Sequence, residues 1–167
     1  MKRMDEDNLA DGPDTVRIGF APEEILTGES TRSARLKWVV LVDGSLPPGL
    51  LANAVACVAA ATGATIEGLI GQGGADASGR IHPGLPWAGC SVLVASSEQL
   101  TAAARRADED EGVFVVDMPA SAQTNRVYDG YLAELAATAE ESLAITGISI
   151  VGPRKAVDRI VKRLSLL

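Results

Sequence analysis

Residues 36–42 read Leu-Lys-Trp-Val-Val-Leu-Val, a nearly continuous apolar run rich in β-branched side chains. A strand with one wet face alternates apolar and polar residues; this one does not, so it is expected to be covered on both faces. A strand of that kind belongs in the middle of a sheet, with helices packed above and below it. The rest of the chain has to supply those layers.

It carries the elements to do so. The turn at 44–49, with Pro47-Pro48, leads into an Ala-rich segment at 50–62 that is apolar on nearly all sides, with Gly63 placed to end it. A helix of that composition is expected to be covered on both faces, and Cys57 within it is expected to be a small buried hydrophobe. A weaker strand pattern follows at 65–70, then a Gly/Pro-rich loop at 71–89, then a strand at 90–95. Ser96 with Gln99 three residues later is a capping box, opening a helix over 97–108. A strand at 113–117 precedes Tyr128, Tyr131, Leu132 and Leu135, which recur at helical spacing. A long strand at 143–151 and a last helix, started by Gly152-Pro153 and presenting Ala156, Val157, Ile160, Val161 and Leu164, complete the series. Strands alternating with helices predict an α/β domain, three-layer α-β-α, with a mixed, mostly parallel central sheet.

That domain is expected over residues 36–167. Residues 1–35 form a polar, acid-rich N-terminal extension, expected to be disordered over roughly its first fifteen residues, although residues 16–20 have the character of a patch that docks on the body. Six aromatic residues in the whole chain leave the core to Ala, Val, Leu and Ile.

Net charge is −7. That is a poor footing for a nucleic-acid binder, whose affinity rests on neutralising phosphates, although the last fourteen residues are locally basic. Two cysteines are too few for a disulfide framework, and none stands at metal-ligand spacing with the single histidine. The charged opening residues do not read as a secretory signal, and the apolar stretch 50–61 falls short of the ~20 residues needed to span a bilayer. A reduced, cytoplasmic protein without a metal is expected.

Four ordered motifs carry a resemblance: Leu-Pro-Pro-Gly-Leu-Leu-Ala-Asn at 46–53, His-Pro-Gly-Leu at 82–85, Ala-Gln-Thr at 122–124 and Gly-Pro-Arg-Lys-Ala-Val-Asp at 152–158. Together they identify residues 36–167 as resembling a bacterial domain-of-unknown-function family (number 2000), itself similar in fold to type 2 peptidyl-tRNA hydrolases. The resemblance implies a compact peptidyl-tRNA hydrolase type 2-like fold with a mixed sheet, and a homodimer. It also implies a departure in chemistry. Leu50, Leu51 and Ala52 stand where the hydrolases carry lysines, Ala56 and Ala59 where they carry Gln and His, and Ala120 where they carry an Asp. Thr124, Gly152, Pro153 and Asp158 match. Without the lysine and the carboxylate, peptidyl-tRNA cleavage is not expected.

The candidate site residues come from four segments. Asn53 is a polar residue in an apolar helix, where it either bonds local backbone or points into a pocket. His82 is the sole imidazole and the only histidine able to shuttle a proton near neutral pH; the alternative is a loop histidine bonded to backbone. Gln123 and Thr124 sit between a strand and a helix, with Thr124 a natural N-cap for the helix at 128. Arg154 and Lys155 place two cations at a helix start, where the macrodipole favours anions instead, which points to an anion held there or to two solvated side chains. Trp87 borders the His82 loop. In layered α/β folds such junctions gather at the carboxyl ends of the strands. Asn53, His82 and Thr124 are therefore expected to converge as catalytic residues, with Arg154, Lys155, Gln123 and Trp87 holding a small anionic, amino-acid-like ligand. No cofactor motif is present: the glycines at 71–74 lack the following Lys-Ser/Thr of a phosphate loop. An enzyme, a non-catalytic binding or regulatory module, and a tRNA-linked hydrolase remain the three readings.

Overall fold

The computed structural model describes residues 18–167, so the expected disorder of the first fifteen residues lies outside what it describes. In chain order, β1 (Leu36–Asp43) leads to α1 (Pro48–Thr65), a small hairpin of β2 (Gly74–Ala75) and β3 (Ile81–His82), β4 (Ser91–Ala95) and α2 (Ser97–Asp108). Then come β5 (Phe114–Pro119), α3 (Ala120–Thr124), α4 (Tyr128–Ala137), β6 (Ile145–Pro153), α5 (Arg154–Ile160) and β7 (Ser165–Leu166). The main sheet has the order β5-β6-β1-β4-β7, with β1 third of five. The central placement expected from the apolar run holds.

Successive side chains of β1 alternate between two cores. Val39 and Leu41 pack with Leu100, Ala103 and Ala107 of α2 and with Val157 and Ile160 of α5. Leu36, Trp38, Val40 and Val42 pack on the other face with Ala54 and Val58 of α1. The domain thus has three layers, α1 against one face and α2 with α5 against the other. Gly147 on β6 lets α1 come close: a Cβ there would sit 3.4 Å from that of Ala54.

The expectation of a mostly parallel sheet is corrected. β1 and β4 run parallel, but β1–β6, β5–β6 and β4–β7 are antiparallel. An apolar run records that both faces are covered; helices cover antiparallel strands just as well, so burial carries no strand direction. Smaller corrections follow from local geometry. α1 continues through Gly63 to a C-cap at Ile66. Residues 65–70 form no strand, since Ile66 and Leu69 instead fill the core under α1. The capping box of Ser96 and Gln99 is realised in both directions.

The Ala-rich helix is not covered on both sides within this chain. Ala54, Val58 and Thr62 are buried, whereas Ala52, Ala56, Cys57 and Ala60 face outward, so Cys57 is exposed rather than a core residue. At 18 residues α1 is long and apolar enough to cross a bilayer by length and composition alone, which the shorter stretch 50–61 did not suggest; its buried stripe lies on the sheet. The apolar positions of α4 likewise stay at the surface, with Tyr128 and Tyr131 in an edge contact at 5.5 Å.

Residues 18–35 lie on the domain as a strap. Phe20 is 5% exposed and its ring lies 4.9 Å from that of Trp87. The Phe20 N–H donates to Glu67 O at 2.9 Å. Gly68 makes the approach possible: its φ is +69°, and a Cβ there would stand 2.6 Å from Phe20 O. The Arg35 guanidinium forks onto both carboxylate oxygens of Glu24 and also donates to Gly19 O. That pairing holds the Glu24 carboxyl at about 2, well below its ordinary 4.5, chiefly through the Arg35 hydrogen bond.

Candidate functional site: a basic pocket at the amino end of the central strand

Strand direction decides which candidate residues can meet. Asn53 lies on α1 beside Ala54, which packs against Gly147, the partner of Val42 at the carboxyl end of β1. Arg154 follows Pro153, the partner of Leu36 at the other end. With β6 antiparallel, the two ends are six strand residues apart, roughly 20 Å at ~3.4 Å per residue. The expected convergence of Asn53, His82, Thr124 and Arg154 on one cleft does not occur.

Asn53 and Gln123 form a local polar pair near the carboxyl end, with Thr124 next to Gln123 in α3. Gln123 Nε2 donates to Leu50 O at 2.8 Å and to Asn53 Oδ1 at 3.1 Å. Thr124 does not cap the following helix: it closes α3, its hydroxyl donates to Ser121 O at 3.2 Å, and Val127 precedes α4. Gln123 thus ties α3 to α1, while the Thr124 hydroxyl bonds within α3. His82 stands on the β2–β3 hairpin outside the main sheet, its side chain 56% exposed, with Nε2 3.3 Å from Asp76 Oδ2. Asp76 is held below its ordinary value first by the Arg80 backbone N–H and then by His82. Trp87 is structural, donating to Gly68 O at 2.7 Å. Lys155 is exposed.

Arg154 belongs to a different constellation. The helix that it opens is only seven residues long, and its guanidinium turns away to the strap, with Nε donating to Ala34 O and Nη2 to Thr31 O, both at 2.8 Å. Beside it is a depression of about 320 Å³ lined by Thr31, Arg32, Lys37, Trp38, Arg154 and residues 88–91. Its described lining holds three cations and no carboxylate. Elsewhere charges are mixed: the depression of about 500 Å³ between α2 and α5 sets Arg106 and Arg159 among Glu109, Asp110 and Glu111. Lys37 Nζ is 2.6 Å from Asp158 Oδ1, one helical turn beyond Arg154 on α5. The Cys90 side chain is exposed at the rim, yet desolvation of its sulfur pushes the thiol up to about 12. Desolvation thus favours the neutral thiol there.

Neither Arg32 nor Lys37 was singled out from the sequence. The signal for Lys37 was available, since it is the one charged residue in the apolar run 36–42. Arg32 carried none, because its place depends on how the strap docks.

The model of the family described as Protein of unknown function (DUF2000) matches residues 36–167. The chain belongs to that family. Among solved structures, a protein of unknown function from Agrobacterium tumefaciens strain C58 is similar in fold, with a TM-score of 0.70 at 19% identity, covering 80% of this chain and 98% of that one. No curated protein matches the chain. In this member of the family the basic pocket is built from two sources: Lys37, residues 88–91 and Arg154 lie within the matched region, whereas Thr31 and Arg32 precede it.

Proposed function

We propose that the protein is a binding module for a small anion, held in the pocket of Arg32, Lys37 and Arg154. The observation that carries this reading is the segregation of charge: three cations and no carboxylate line one depression on a chain of net charge −7. Asp158, outside the lining, offsets part of the Lys37 charge, and the remaining guanidinium groups match oxyanions with paired donors. The volume, near the lower end of the ~300–1,000 Å³ of small-molecule sites, suits a metabolite-sized ligand.

Binding is favoured over catalysis by the fate of the expected catalytic groups. Asn53 and Thr124 are engaged with Gln123 and Ser121, and His82 pairs with Asp76 on the hairpin. The test is calorimetric titration of the full chain with inorganic phosphate against chloride at equal ionic strength. Saturable, one-site heat with phosphate supports the reading; identical heats for both salts overturn it.

A further inference from the structure

The pocket has one wall that the rest of the domain does not supply. Thr31 and Arg32 come from the strap, and Ala34, just beyond them, is buried in the core beside Leu36 and Trp38. Two hydrogen bonds add to that anchor, both from the Arg154 guanidinium, to Thr31 O and Ala34 O on either side of Arg32 and Ser33. Local bonds brace the same turn: Ser33 Oγ donates to Ser30 O at 2.6 Å, and Arg32 N–H donates to Ser30 Oγ at 3.3 Å. With its Nε–H and one Nη2–H given to carbonyls, Arg154 has part of its fork committed to the strap. Lys37 likewise gives one of its three donors to Asp158, so Arg32 is the least engaged cation of the pocket.

Resting on the anion-binding reading, we propose that residues 31–34 are the specificity wall of the pocket, that Arg154 is the positioning residue clasping this wall to α5, and that Arg32 is the group which the clasp delivers to a small oxyanion. The wall lies ahead of the family-matched region, which supplies Lys37, residues 88–91 and Arg154. The fork geometry is essential: a guanidinium reaches two carbonyls in one plane, whereas an ammonium is a point charge and cannot reproduce both bonds. Arg154→Lys therefore keeps the charge and loses the clasp.

The experiment pairs two readouts on the full chain. In ligand-free protein, trypsin cleavage after Arg32 is followed by mass spectrometry, with cleavage after Arg80 and Arg105 as internal controls for the fold. Arg154→Lys is expected to speed cleavage after Arg32 about tenfold relative to the controls and to weaken binding of inorganic phosphate. Unchanged cleavage with weakened binding would overturn the clasp and make Arg154 a direct ligand contact. If all sites speed up together, the wall has no separate release and the clasp is again overturned. Arg32→Gln is expected to weaken phosphate binding about tenfold without moving the thermal midpoint; native-like binding by that variant would overturn the role of the wall. Failure of the native chain to bind phosphate would overturn the anion reading and the role of Arg32 together, while the cleavage ratio would still decide the clasp.

Discussion

Ser149 Oγ and Thr62 Oγ1 lie 2.6 Å apart between the sheet and α1, in two residues with no solvent exposure. The direction of this bond is fixed by its neighbours. The Thr62 hydroxyl donates to Val58 O at 2.7 Å, so the Ser149 proton must go to Thr62, while Trp38 Nε1–H donates to Ser149 at 2.8 Å. Each member of the chain is satisfied. Ser149→Ala would strand the buried indole N–H and is expected to cost about 1–3 kcal/mol, read as a fall in thermal midpoint. A cost below about 0.5 kcal/mol would contradict this wiring.

Gly68→Ala addresses how the strap is seated. A residue with a side chain at φ +69° is strained by about 1–2 kcal/mol from the backbone alone, and the added Cβ meets Phe20 O at 2.6 Å. The variant is expected to unfold at a lower temperature and to cut faster after Arg32. Native-like cleavage would show that Gly68 does not govern the docking of the strap.

Acid should release the Glu24–Arg35 tie in a defined window. Because the folded carboxyl titrates below its ordinary 4.5, the stability that the tie adds is fully present above pH 4.5 and is lost as pH falls through about 2. The difference in stability between the native chain and Glu24→Gln is therefore expected to be constant near neutrality and to vanish toward pH 2. A difference that persists at pH 2 would mean the pairing is not its source.

Asp117 runs the other way. Desolvation, then the charge of Asp108, raises its carboxyl above the ordinary value; it lines a small depression with Asp108 and Glu140. Its charged form destabilises the fold at pH 7, and the penalty fades as pH falls through the raised value. Asp117→Asn is expected to raise the thermal midpoint at pH 7 and to leave it unchanged in acid. A lower midpoint at pH 7 would contradict the assignment.

The layers were legible from residue patterns because burial itself writes them. The run 36–42 forms the central strand, Ser96 and Gln99 open α2, and Ala156, Val157 and Ile160 face the core. Strand direction was not legible, since an apolar run is the same read either way, and that one unknown displaced the site. Had the strand ending at Pro153 been parallel to β1, Arg154 would have stood near Asn53 and Thr124. Its antiparallel course carries Arg154 to the opposite end, beside Arg32 and Lys37. Arg32 was hidden for a different reason: a strap residue acquires its neighbours only when Phe20 and Arg35 dock.

The anion-binding account is tested most directly by two substitutions of opposite expected sign in one calorimetric titration with inorganic phosphate. Lys37 Nζ donates a hydrogen bond to Asp158 Oδ1 at 2.6 Å. Lys37→Gln is expected to weaken phosphate binding roughly tenfold by removing a charged donor, whereas Asp158→Asn is expected to strengthen it roughly 2–5-fold by releasing Lys37 from a partly exposed pair. Affinities moving in these opposite directions would support phosphate binding between Lys37 and its neighbours. Equal affinities for both variants and the native chain would contradict it.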